Sequence, residues 1–143
     1  MNDENILMLD LIYSKIGYIL ACLSSYSSLD LSKRIIDINK SIYLIKKSLI
    51  DEKEYVDIRN VISLREHLKQ LKTRVLDEKD VALDGHKIAC LLFEVSTLIK
   101  MLVAKFDKTK EDIIEYLLLT SEYLYTCGRI INIEILCFEN TIN

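Results

Sequence analysis

The sequence predicts an all-α fold, a compact antiparallel bundle of five or six helices in a single domain over residues 1–143. Three observations predict it. Apolar residues recur at helical spacing in successive segments; the chain has no proline and only three glycines; and half of its residues are hydrophobic. Spacing of i, i+3, i+4, i+7 places side chains on one face of an α-helix. Proline and glycine are the main helix breakers, so their scarcity favours long helices over the tight turns of a β-design. A chain of 143 residues with this apolar share can bury a core without disulfides or metals.

The first helix carries the seam Ile6, Leu9, Tyr13, Ile16, Leu20 and Leu23. "SSYSSLD" follows as a loop, in which Ser27 and Asp30 have the spacing of a capping box for the second helix. That helix has the seam Leu31, Ile35, Ile38, Ile42, Ile45 and Leu49. "LIDEKEY" turns it into a third, with Asp51, Glu52 and Glu54 suited to a first helical turn. The third seam is Val61, Leu64, Leu68, Leu71 and Val75. Apolar residues beside the first two seams, among them Leu7, Leu11, Ile36 and Tyr43, widen the stripes to the width a globular bundle uses.

"LDEKDVALDGHK" has two readings. Asp77 caps a helix that runs on through Gly85, or Asp84 and Gly85 form a turn. The next segment, "KIACLLFEVSTLIKMLVAKF", residues 87–106, is apolar almost all the way round. A membrane helix needs about 20 such residues. Here Glu94 and Lys100 lie near the middle, and a charge at the bilayer centre costs roughly 2.5–3.5 kcal/mol. The segment reads as a central bundle helix, with Lys87, Glu94 and Lys105 on one solvent-reaching edge and no membrane insertion. "FDKTKED" ends it, and Thr109 with Asp112 caps a fifth helix. Gly128 marks a helix end or a kink. In "RIINIEILCFENTIN", Ile131, Ile133 and Ile135 alternate with Asn132 and Glu134. A lone strand there has no partner for its backbone, so a short sixth helix is expected.

The net charge of −3 is modest but unevenly placed. Residues 33–74 hold 11 Lys/Arg against 6 Asp/Glu, leaving 8 basic and 16 acidic of the chain's 19 and 22. Such a dipole can orient a partner or sit on two solvated faces. Cys22, Cys90, Cys127 and Cys137 form no C-x-x-C pair, and three lie in apolar runs. They read as reduced thiols of a cytoplasmic protein. The acidic start "MNDENILMLD" lacks the basic region of a secretory signal, and the sequon at Asn39 falls inside a helix.

No cofactor and no metal is expected. His67 and His86 lie on different segments, and no E-x-x-H or H-E-x-x-H occurs. His86 and Cys90 share a helical face, yet no orienting group or oxyanion hole accompanies them. No glycine-rich phosphate loop is present, and the Arg/His spacing of small helical ribonucleases is not met. Arg65, Lys69 and Lys72 form a basic row on the third helix. An acidic domain with so short a row makes nucleic acid an improbable partner.

Eight tyrosines and no tryptophan are the remaining peculiarity. Tyrosine joins a large apolar body to a polar tip and is enriched at interfaces. On that ground the sequence suggests a non-enzymatic interaction module: a small adaptor, inhibitor or chaperone-like protein. Its partner-binding surface would comprise Leu98, Met101, Lys105, Tyr116, Tyr123 and Tyr125 on the fourth and fifth helices. The partner would be a protein, in helix-in-groove fashion. A self-assembling homo-oligomeric subunit is the alternative. Gly128, Arg129 and Ile130 resemble the G-R-I core of the motif that opens the central hairpin of Bcl-2-like proteins, without the Asn-Trp that usually precedes it. That resemblance implies a viral host-modulating protein as a minor alternative.

Overall fold

The structure, a computed structural model, describes residues 3–26, 30–54, 57–75 and 81–136. Five helices account for most of them: α1 (Asp3–Leu23), α2 (Ser32–Asp51), α3 (Ile58–Lys72), α4 (Lys87–Val103) and α5 (Glu111–Leu136). No β-strand occurs among the described residues. The α4–α5 contact is the most extensive; α1 packs on both α2 and α4, and α3 packs on α5. Going round the bundle, the order is α2, α1, α4, α5, α3.

The seams fill the core, with one shift. On α1 the fully buried line is Leu9, Ile12, Ile16, Ile19 and Leu23. Tyr13 lies on the flank instead, exposed, with its ring 6.0 Å from that of Tyr43 on α2. On α2 the buried line is Leu31, Ile35, Ile38, Ile42 and Ile45, and on α3 it is Val61, Leu64, Leu68 and Leu71. Asn39, the sequon asparagine, is buried within α2. α1 is long and apolar enough to cross a membrane by length and composition, but its buried line belongs to this core.

Local chemistry sets the helix ends. Asp57 caps α3 by accepting the Arg59 N–H at 2.9 Å, so the expected first-turn residues lie earlier: Asp51 ends α2, and Glu52 adopts a left-handed φ of 54°. No side chain caps α2; Ser27 lies outside the described residues, and Asp30 pairs with Arg74 at 2.9 Å. Asp84 and Gly85 form the turn before α4, Gly85 having a φ of 109° that favours glycine. Asp77 lies outside the described residues. Asp107 accepts the Thr109 N–H at 3.0 Å just before α5, whose first turn carries Glu111 and Asp112.

No separate sixth helix occurs among the described residues. α5 runs through Gly128 without ending, because Gly128 faces the Phe93 ring and its lack of a side chain lets α4 come close. Ile130, Ile131 and Asn132 are all buried, which a helix wrapped on several sides permits and a strand alternation does not. Residues 137–143, including Cys137, lie outside the described residues.

Part of the lopsided charge is paired inside the fold. Arg65 and Lys72 of the basic middle segment pair with Glu115 and Glu122 of α5, and Arg74 pairs with Glu134. On the other side, Lys15 holds Glu94 at 2.8 Å and Lys105 holds Glu4 at 2.9 Å, joining α1 to α4 and its end.

Candidate functional site

One end of the bundle gathers the start of α1, the end of α2 and the connection from α4 to α5. They meet there because α1 and α2 run antiparallel, as do α4 and α5. Between them lies a cleft of about 480 Å³, lined by Asn5, Ser48, Leu49, Glu52, Lys105, Phe106, Asp107 and Lys110. A second hollow of about 360 Å³ adjoins it, sharing Ser48, Leu49, Glu52 and Lys110 and adding Lys53 and the first residues of α5.

Asn5 is a buried polar group of this cleft. It lies four residues before Leu9, on the buried face of α1, and is only 9% exposed. Its Oδ1, like that of Asn39 on α2, has no hydrogen-bond partner among the described residues. An unsatisfied buried acceptor costs about 1–3 kcal/mol, so such a group calls for a donor. Around it, Ser48 is occupied, donating to the Leu44 carbonyl at 2.9 Å. Asp107 is held below the usual carboxylate range, chiefly by the backbone and hydroxyl of Thr109. Lys105 (already paired with Glu4), Lys110 and Lys53 bring three ammonium groups to a rim that also carries the carboxylates of Glu52, Glu54, Asp107, Glu111 and Asp112, and Leu49 and Phe106 supply apolar wall. The cleft can take a small molecule that carries an N–H donor for Asn5, with Lys53 and Lys110 as the cationic partners at its rim.

The opposite end is locked rather than open. His86 caps α4: its Nδ1 accepts the Ile88 N–H at 3.1 Å, so the neutral ring carries its proton on Nε2 and donates it to the Tyr26 hydroxyl, 2.9 Å away. Partial burial, with Lys87 nearby, pushes the His86 pKa below its ordinary value. Asn132 of α5 accepts the His86 N–H at 2.9 Å and donates to the Asp84 carbonyl at 2.8 Å. Both His86 nitrogens are thus engaged away from Cys90, whose thiol makes a long contact of 3.8 Å to the Gly85 carbonyl. His86 and Cys90 are therefore not a nucleophile–base pair.

The residues expected to form a partner-binding face are not brought together. Tyr116 and Tyr123 are 3% and 2% exposed and belong to the core; burial raises the pKa of both hydroxyls, and Tyr116 meets Ser41 of α2. Tyr125 is half-buried against the Phe93 ring, centroids 5.5 Å apart, and Leu98 packs on the core. Met101 is exposed alone, and Lys105 belongs to the cleft. The error was to read tyrosine as surface: α5 is wrapped by α4 and α3, so its polar tips find partners inside. Asn5 was legible in principle as a polar residue on the apolar stripe of α1. Ser48, Lys53, Phe106 and Lys110 had no local signal, since only the packing brings three chain segments together.

No protein-family model and no curated protein sequence matches the chain. Its fold does match solved structures. It resembles a variant of a PduO-type ATP:co(I)rrinoid adenosyltransferase from Lactobacillus reuteri, complexed with ATP, at a TM-score of 0.84 and 16% identity over 98% of this chain and 86% of that one. It also resembles a variant ATP:corrinoid adenosyltransferase from the same organism, complexed with cobalamin and ATP, at 0.81 and 16% identity over 96% and 80%. A further such variant, again with cobalamin and ATP, gives 0.80 at 15% identity over 97% and 84%. This fold is therefore one that enzymes with small-molecule ligands use. The finding overturns the expected non-enzymatic module, whether adaptor, inhibitor, chaperone-like, purely structural subunit or Bcl-2-like, and removes support for a protein partner of another kind.

Proposed function

We propose that residues 1–143 form a single-domain enzyme that transfers an adenosyl group from ATP to a corrinoid, with the nucleotide seated in the cleft at Asn5. The observation that carries the reading is the likeness of fold along 98% of the chain to an ATP:co(I)rrinoid adenosyltransferase. Three features of the cleft support it. Its volume of about 480 Å³ lies in the range of small-ligand sites. The free Asn5 oxygen is matched by an exocyclic amine such as that of adenine, the pairing by which asparagine reads that base elsewhere. Lys53 and Lys110 offer the phosphates cationic partners as point charges. The chain has no glycine-rich phosphate loop, so in this reading lysine side chains take the place of backbone N–H groups. Cys22, Cys90 and Cys127 are free thiols, which suits a cytoplasmic enzyme.

The test is incubation of the full chain with ATP and a chemically reduced corrinoid under anaerobic conditions, with the product identified by chromatography and mass spectrometry. ATP affinity is measured in parallel by calorimetry. Adenosylated corrinoid is the expected product, with ATP affinity falling about tenfold in Asn5→Leu, the cost of roughly one charge-free hydrogen bond left unmade. Binding of ATP without product would sink the transfer reaction and leave a nucleotide site. Failure to bind ATP at all would remove both.

A further inference from the structure

The basic residues of 33–74 also form a pattern on α2. On α2, Lys33, Lys40 and Lys47 recur every seven residues and are exposed. Ile36, Tyr43 and Ile50 also recur every seven residues and are 42–48% exposed. A seven-residue step returns to nearly the same side of a helix, drifting by about 20°. The two rows therefore run side by side along the outer face of α2, a line of ammonium groups beside a line of large apolar side chains.

The neighbouring face of α1 continues the apolar row. Leu7, Leu11 and Tyr18 lie directly opposite its buried line and are 67%, 43% and 58% exposed. The helices meet through the Tyr13–Tyr43 ring contact and the Lys46–Asp10 pair at 2.6 Å, which set their outer faces side by side. Seven of the eleven large apolar side chains exposed among the described residues belong to these two helices. That concentration exceeds the scatter of single apolar residues normal on a soluble surface.

We infer that the outer face of α1 and α2 is an attachment surface for an anionic lipid membrane, on which the protein lies without crossing. The charge pattern selects this occupant. A lysine row at the edge of an apolar face lets the ammonium groups reach anionic headgroups while the aliphatic and tyrosine side chains enter the interface. Four of the seven exposed apolar groups on α1 and α2 are Leu or Ile, which suit acyl chains, and three are Tyr, which suit the headgroup boundary. A second copy of the chain is a poorer match: α1 carboxylates Glu4 and Asp10 are already held by Lys105 and Lys46. The inference is independent of the adenosyl-transfer reading, since the face lies away from the Asn5 cleft and uses none of its lining.

The test is flotation of the full chain with vesicles of pure phosphatidylcholine and with vesicles rich in phosphatidylserine, at low and at roughly half-molar salt. Flotation with the phosphatidylserine vesicles alone, lost at high salt, is expected. Each lysine removed should weaken it about fivefold, so Lys33→Gln/Lys40→Gln/Lys47→Gln should lose about a hundredfold. Tyr43→Ser should weaken it while keeping its salt dependence. Lys100→Gln, an exposed lysine on α4, should float as the unaltered chain does. Circular dichroism checks that each variant is folded. Absence of flotation at low salt overturns the inference, as does flotation unchanged in the triple variant. A concentration-dependent dimer that the triple variant abolishes also overturns it, by giving the face to a second copy.

Discussion

Two glycines, each inside a helix, should respond in opposite directions to the same substitution. In an exposed helix interior, Gly→Ala stabilises by about 1 kcal/mol, because alanine restricts the unfolded chain and favours the helix. At Gly17 an added Cβ meets nothing within 4 Å, so Gly17→Ala should realise that gain in full. At Gly128 the same carbon would lie 2.5 Å from Cε1 of Phe93, 2.9 Å from its Cδ1 and 3.0 Å from its Cζ. The ring cannot retreat easily: Phe93 is 2% exposed and packs against Tyr125. Overpacking a close-fitted core costs about 1–3 kcal/mol. Gly128→Ala should therefore be neutral to about 2 kcal/mol destabilising, and the two variants should differ by the overpacking cost. For a chain of this length 1 kcal/mol corresponds to about 3–4 °C in Tm, so the difference should span roughly 3–12 °C. Urea denaturation followed by circular dichroism reads it directly, and Phe93→Leu should relieve part of the Gly128→Ala loss. If Gly128→Ala stabilises as much as Gly17→Ala, then the α4–α5 contact is not close-fitted and the account of Gly128 is wrong.

Three further outcomes follow from the packing. Ser96 and Ser121 are buried and each donates to the other's backbone carbonyl, at 2.8 and 2.9 Å; Ser96→Ala or Ser121→Ala should each cost about 1 kcal/mol, and the double variant less than their sum, in a double-mutant cycle by urea denaturation. The His86 pKa is depressed in the fold, so its contribution is fully present above the unfolded value of about 6.5 and lost as pH falls through the lower folded value; the midpoint of Asn132→Ala should be lower at every pH, while His86→Asn, which keeps a cap, should flatten the acid side of the stability–pH curve. A curve that keeps its slope in His86→Asn would assign that slope to other groups. Burial pushes the Cys127 thiol well above its ordinary pKa, so a thiol reagent should label half-buried Cys22 and Cys90 in the native protein and leave Cys127 untouched until urea unfolds it.

How far the fold could be read from the sequence differs by element. The seams of α2 and α3 were legible almost residue by residue, because burial on one face imposes a helical period that the apolar residues spell out. On α1 two interleaved apolar lines compete, and only the position of α2 decides that Ile12 and Ile19 go in while Tyr13 stays at the flank. The end of α5 was misread because Gly128 and the Ile131, Ile133, Ile135 alternation carry local signals for a break and a strand; a long-range contact with Phe93 overrides both. The cleft was hidden for a related reason. Asn5, Lys53 and Lys110 are far apart in sequence, and polar residues near helix ends have many ordinary roles. The tyrosines misled because an amphipathic side chain fits an interface between proteins and an interface between helices equally well.

The place of α3 in the bundle has a dynamic consequence. α3 meets the rest of the fold chiefly through α5, by four apolar residues at 3–5% exposure and two surface ion pairs that add little. Its removal would leave the α1–α2, α1–α4 and α4–α5 contacts standing. Stability should thus be graded, with α3 exchanging its amide hydrogens by swinging free while α4 and α5 exchange only when the whole molecule unfolds. Each such excursion bares Tyr116, which shares a hollow with Asn60, Ser63, Leu64 and His67 of α3, to water. The open form would thus expose a polar tip along with the apolar surface that α3 covers.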